Sequence, residues 1–182
     1  MGKIQKSFKD EMLSCMPSLR AFGVSLCGRR DKADDLVQDT LMKAWAKQQT
    51  FTMGTNMKAW LFTILRNEFY SQMRKRGREV QDTDGAFTER LSIHPSQYGV
   101  LDMRDFKKAL DLLPPDQREA IILIGASGFS YEEAAQVCGC AVGTIKSRVS
   151  RARARLQDVL GLTRNADYGP DAISTGVLAL QI

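Results

Sequence analysis

YEEAAQVCGCAVGTIKSRVSRARARL, residues 131–156, decides the fold. Ser130 and Glu133 stand three apart before an apolar run, the spacing of a capping box, and Phe129 and Ala134 are placed as its hydrophobic staple. A short helix is therefore predicted to start near Tyr131. Ala135, Gly139 and Ile145 follow at offsets of four and six. A small residue lets a second helix approach, glycine permits the tight turn, and a branched apolar residue packs between the helices: the requirements of a helix-turn-helix.

The second helix has one apolar face. Val142, Ile145, Val149, Ala152 and Leu156 fall on a narrow sector at 100° per residue. Opposite them stand Thr144, Ser147 and Arg151, with Gly143 and Ser150 beside them and Lys146 and Arg148 on the flanks. No acid occurs between Glu133 and Asp158. Short polar groups with an arginine suit base edges, and flanking cations suit phosphates. A solvated basic face that touches nothing would not need the helix-turn-helix spacing in front of it.

Working outward, the 182-residue chain carries a net charge of +5, but unevenly. Residues 58–78 hold six Lys/Arg and one acid, residues 79–105 hold six acids and two arginines, and residues 142–156 are purely basic. Two basic zones separated by an acidic stretch point to two contacts with a polyanion. "DKADDLVQDTLMKAWAK" reads as a helix with Ala33, Leu36, Val37, Thr40, Leu41, Ala44 and Trp45 inward and Asp34, Asp35, Gln38, Asp39 and Lys43 outward. "FTMGTN" breaks the pattern, and "MKAWLFTILRNEFYSQMRKR" resumes it as a long helix. Residues 4–27 read as helical with Pro17 inside. On the long helix, Thr63, Arg66, Asn67, Tyr70 and Arg74 form one stripe, extended by Lys75, Arg76 and Arg78. Amide, ring and cation interleaved in this way suit unpaired bases, which stack on rings while cations follow the phosphates. Trp60, Phe62, Leu65, Phe69 and Met73 are read as core.

The expected architecture is all-α: a first helical domain over residues 1–78, a flexible acidic linker over 79–101, a second domain containing the helix-turn-helix over 102–162, and a loose C-terminal tail over 163–182. The helices "MRDFKKALDLL" and "DQREAIILIGA" open the second domain around Pro114-Pro115. No signal peptide or apolar run of membrane-spanning length is seen, so a cytoplasmic chain with four reduced cysteines is expected. Cys138 and Cys140 lack the partners zinc needs, since the single histidine is His94 in the linker, so no metal site is expected. There is no phosphate loop or nucleophile elbow, so neither a cofactor nor catalysis is expected.

Together "ADDLVQDTLMKAW", "MKAWLFTILRNEFYSQMRKR", "LPPDQREAIILIGASGFSYEEAA" and "CAVGTIKSRVSRARARL" resemble the extracytoplasmic-function RNA polymerase sigma factors over roughly residues 8–160. The wording from Gly125 to Arg148 is most similar to the EcfG-type general stress group of alphaproteobacteria. The resemblance implies a sigma-two and a sigma-four domain, with core RNA polymerase, promoter DNA and a NepR-like anti-sigma factor as partners. It implies that Asp34, Asp35, Gln38 and Asp39 dock on core polymerase. It implies that Phe51, Asn56 and Lys58 join the stripe in capturing a flipped minus-ten base, and that Lys146, Ser147, Ser150 and Arg151 contact minus-thirty-five bases while Arg148 holds a phosphate. The linker fits: Arg78 to Asp102 is 24 steps, about 80 Å when extended. Two alternatives remain at this point, a sigma-like decoy that binds an anti-sigma protein and an autonomous helix-turn-helix regulator. The second would leave the acidic helix and the aromatic stripe unexplained.

Overall fold

The computed structural model describes residues 7–81 and 103–161. The tail read over 163–182, and all of the linker read over 79–101 except its first three residues, lie outside the described residues. Everything described is helix, turn or loop.

Eight α-helices follow in order: α1 (Phe8–Ser14), α2 (Met16–Cys27), α3 (Arg30–Ala46), α4 (Met57–Gln81), α5 (Met103–Asp111), α6 (Pro115–Gly125), α7 (Tyr131–Cys138) and α8 (Val142–Val159). Pro17 does not interrupt one helix but opens a second. It sits in the first turn of α2, where a missing N–H costs nothing. Ser7 caps α1 by accepting from the Asp10 amide. Asn56 caps α4, its Oδ1 accepting from Ala59 N at 3.0 Å. The long helix runs three residues past the boundary read from the sequence, to Gln81.

In the first half α2, α3 and α4 form a bundle with α1 against α4. Gly23 of α2 lies so close to α3 that a Cβ there would stand 3.3 Å from that of Ala33. Phe22 stacks on Phe62 with centroids 4.7 Å apart. The inward set on α3 is as read, except for Trp45, which is 49% exposed. Met73, read as core, is also exposed. Trp45 is only partly covered, by Phe8 of α1, and Met73 is half exposed, which periodicity alone does not reveal.

In the second half α6, α7 and α8 pack together and α5 lies on α8. The capping box is present: Ser130 Oγ accepts from Glu133 N, and Glu133 Oε2 accepts from Ser130 N at 2.8 Å. Gly139 ends α7 at φ 62°, with Gly139 N bonded to Gln136 O and Cys140 N to Ala135 O. These are the two bonds of a Schellman stop. Ile145, Val149, Ala152 and Leu156 are all buried, as the apolar face of α8 requires.

The two halves are not separate bodies. α4 packs on α7 and α2 on α6. Phe129, the staple residue before α7, meets Phe62 edge-on at 5.0 Å. The core is therefore continuous from Leu19 and Phe22 through Phe62 and Phe129 to Ile145.

Two substitutions separate backbone from packing in the helix-turn-helix. A Cβ on Gly139 meets nothing within 4 Å, so Gly139→Ala carries only the left-handed backbone strain. It should lower unfolding free energy by about 1–2 kcal/mol, with Gly139→Asn recovering part. Ile145→Ala should cost about 2–5 kcal/mol as a cavity. Urea unfolding followed by circular dichroism checks both.

Candidate nucleic-acid interface

The basic face of α8 points to solvent. Gly143, Lys146, Ser150 and Arg151 are exposed, and Thr144 and Ser147 are half-buried beside them. The Ser147 hydroxyl donates to Thr144 O at 2.9 Å, and Arg151 Nη2 donates to Ser147 Oγ at 3.4 Å. The short polar groups thus lie in one row with the arginine. Lys146 Nζ stands 5.9 Å from the centroid of Tyr131. Arg148 differs from the others. Its Nε pairs with Asp116 Oδ2 at 3.2 Å, and three quarters of its side chain is covered. This pair ties α8 to the first turn of α6, so in this arrangement Arg148 positions the recognition helix rather than offering a free charge to a phosphate.

The acidic face of α3 is open at Asp34, Asp35 and Gln38. Asp34 pairs with Arg20 at 2.6 Å at the surface. Asp39 is half-buried and accepts from Gln72 Nε2 at 3.2 Å. Met42, 64% exposed, and Trp45 continue the row of Asp35 and Gln38 at helical spacing. The sequence reading missed both: it placed Trp45 in the core and left Met42 unassigned. Phe8 of α1 lies 6.2 Å from the Trp45 ring and covers only part of it.

The strand-binding set divides in three. Phe51 is 8% exposed and packs against Phe8 and Trp60, with centroids 5.9 and 5.1 Å away. It anchors the loop from below, and its ring is not available to a base, which corrects the expectation for it. Asn67, Arg74 and Lys75 are exposed, as expected. Asn56, Lys58, Arg66 and Tyr70 face the second half. Asn56 Nδ2 donates to Glu133 Oε1 at 2.7 Å, and Lys58 Nζ donates to Ser127 O at 2.6 Å. Arg66 Nε donates to Glu119 Oε1 at 2.6 Å, and Tyr70 OH to Glu119 Oε2 at 3.4 Å. The Arg66 guanidinium lies 4.8 Å over the Tyr70 ring. Thr63, half-buried, donates to Ala59 O within its own helix.

Glu119 is the centre of this seam, with no solvent exposure at all. Burial pushes its carboxyl above the ordinary glutamate range, against the pull of the Arg66 charge and hydrogen bond. The same burial, with Glu119 beside it, pushes the Tyr70 hydroxyl up to about 12. Lys58 is pulled down by burial. Glu133 is held low, first by the Ser130 backbone N–H and further by Asn56. Glu119, Ser127 and Phe129 were not singled out as partners of the stripe. One signal was available: Glu119 lies on the apolar side of "EAIILIGA", three and four residues before Ile122 and Leu123.

Among the described residues no group of three or more His, Cys, Asp or Glu could hold a metal ion. Burial pushes the Cys138 thiol up to about 12, which leaves it protonated and unreactive. No helix of the described residues is long and apolar enough to cross a membrane.

Comparison with known proteins agrees with this geometry. Residues 12–79 match the family described as Sigma-70 region 2, and residues 103–156 that described as Sigma-70, region 4. The ECF RNA polymerase sigma factor EcfG of Rhodopseudomonas palustris is 57% identical over 165 residues, 91% of each chain. The sigma factor RpoE of Bartonella quintana, solved in complex with the anti-sigma factor NepR, is 73% identical with a TM-score of 0.75, covering 86% of this chain and 98% of that one. The PhyRSL–NepR complex from Sphingomonas sp. Fr1, solved by NMR, aligns with a TM-score of 0.63 over 90% of this chain and 98% of that one. At 19% identity it shares the fold alone. A region 2 bundle and a region 4 helix-turn-helix in one chain, with an EcfG relative matched nearly end to end, place this protein in the ECF family of RNA polymerase sigma factors.

Proposed function

We propose that this sigma factor reads the minus-thirty-five element of its promoters with the α8 face of Thr144, Lys146, Ser147, Ser150 and Arg151. Opened minus-ten strand lies along α4, at Thr63, Asn67, Arg74 and Lys75 together with the seam residues Asn56, Lys58, Arg66 and Tyr70. Core polymerase docks on Asp34, Asp35, Gln38 and Asp39 of α3. A NepR-like anti-sigma factor holds the chain inactive, in the cytoplasm, until general stress genes are needed. The chain itself carries out no catalysis; the polymerase makes the transcript. The observation that carries this reading is the exposed, acid-free row of short polar groups and arginine on a helix seated by Ile145 and Gly139. The anti-sigma partner is supported by the NepR complex of the relative that is 73% identical. Run-off transcription with core polymerase on a promoter panel tests the whole reading: a decoy for an anti-sigma protein yields no transcript in that assay.

Arg151→Ala should lose a base contact. Its cost should be about 1–3 kcal/mol on the correct minus-thirty-five sequence and little on a wrong one, so selectivity narrows. Arg74→Ala should weaken binding about equally across sequences and lower the salt slope by about one. A template with a pre-opened minus-ten bubble should rescue Arg74→Ala and not Arg151→Ala. Holoenzyme binding and permanganate footprinting on matched duplex and bubble templates provide the comparison.

Asp35→Arg with Asp39→Arg should abolish core polymerase binding in a pull-down while circular dichroism stays normal. Asp35 is exposed, and half-buried Asp39 accepts one hydrogen bond from Gln72 of α4, so circular dichroism is the control for the loss of that contact.

A further inference from the structure

Four of the donors read as strand ligands already have acceptors, and all four acceptors belong to the second half of the same chain. Asn56 gives its amide to Glu133, Lys58 its ammonium to the Ser127 carbonyl, and Arg66 and Tyr70 share the Glu119 carboxylate. Two carboxylates and a carbonyl offer the chemistry of phosphate and base-edge oxygens. They lie where an unpaired strand following α4 would run.

We propose that this seam is an autoinhibitory contact: Glu119, helped by Glu133 and the Ser127 carbonyl, occupies the donors of α4, so the second half of the chain and opened promoter strand compete for one set of side chains. The proposal rests on the reading of the α4 stripe as strand-binding.

The energetics suit a reversible closure. A fully buried carboxylate loses its hydration, and one guanidinium and one phenol restore only part of it. The Arg66–Glu119 pair is therefore specific in geometry without being strongly stabilising. Phosphates from a strand could replace the acceptors of Arg66 while Glu119 regains water. The helix ends add to the contact on the same terms. Ser127 O lies just past the C-terminus of α6, where a cation is favoured, and Lys58 fills that place. Glu133 lies between the N-termini of α4 and α7, bonded to the cap of one and serving in the capping box of the other.

Proton linkage gives a signature that packing alone would not. The titratable and charged groups facing Glu119 are Arg66 and Tyr70 of α4, Cys138 of α7 and Arg148 of α8. Burial pushes Tyr70 and Cys138 up to about 12, so among these groups Glu119 is the one that changes in weak acid. Its carboxyl is raised in the closed form and relaxes toward the ordinary value when exposed. Its contribution to closure is therefore complete below the ordinary carboxylate range and is lost as pH rises through the raised value.

The test uses the full-length chain with fluorophores on noncanonical residues at positions 47 and 155, and a short labelled single strand from a promoter selected by run-off. Energy transfer reports closure, and anisotropy reports strand affinity. Glu119→Ala should lower energy transfer and tighten strand binding by about tenfold, the gain expected if about one chain in ten is open at rest, whereas Glu119→Gln, which copies the protonated acid favoured in the closed form, should remain closed. Glu133→Gln, which keeps a capping-box acceptor and so the fold, should shift both readouts in the same direction by less. Saturating strand should open the wild type, and raising the pH through weak acid should open the wild type but not Glu119→Gln. Unchanged energy transfer in both Glu119→Ala and Glu133→Gln overturns the lock. Opening without any gain in strand affinity overturns the competition, and because opening itself is then observed, the fault lies with the strand-binding reading of α4.

Discussion

A single carboxylate cut off from water sets the relation between the two halves of this molecule. Glu119 of α6 draws its side-chain hydrogen bonds from Arg66 and Tyr70 of α4, in the other half. A buried charge without a partner is far more costly than a paired one. Once α6 has placed this acid on its apolar side, α4 must supply Arg66 and Tyr70 or the halves must part and let water reach it. Much else in the structure follows from the first choice. α4 lies along α7, Phe129 closes on Phe62, and the loop before α4 meets the turn before α7.

Beside the Phe62–Phe129 contact that makes the core continuous, the seam is made largely from helix ends. Free N–H groups at the starts of α4 and α7 are both served through Glu133 and its neighbours, Asn56 and Ser130. The carbonyl beyond α6 is served by Lys58, which lies between the rings of Phe62 and Phe129, 5.8 and 5.3 Å from their centroids. Polar groups that would otherwise need water are paired across the contact, and each pair has an equivalent alternative in solvent or in a polyanion. The contact is therefore shaped to form and to open.

The outward faces keep their independence. The reading row of α8 and the acidic row of α3 point away from the seam, on helices whose apolar sides are locked by Ile145 and Val149 in one case and Leu36 and Val37 in the other. Rigid backing fixes both rows: a polar side chain displaced by an ångström loses a hydrogen bond. Arg148 contributes to that rigidity by holding Asp116.

Much of this was legible in the chain itself. Local signals act within a few residues, and they were read correctly where they are strong: the capping box of Ser130 and Glu133, the left-handed Gly139, the apolar row of α8 and the polar row opposite. Periodicity identifies the side of a helix that must be covered. It cannot say which helix covers it, or how far along. Trp45 and Met73 share a face with buried residues and so read as core, but each is left about half exposed, Trp45 covered only in part by Phe8. The family resemblance of the FTMGTN loop implied Phe51 as a base ligand, but its ring packs against Phe8 and Trp60. The stripe of Arg66 and Tyr70 was identified as a polar surface, and its composition was sufficient for that. That its resident partner is Glu119, 53 residues away in the chain, depends on how two bundles meet. Only the tertiary structure decides this, because the cost of burying a charge is set by what surrounds it in space and not by its neighbours in sequence.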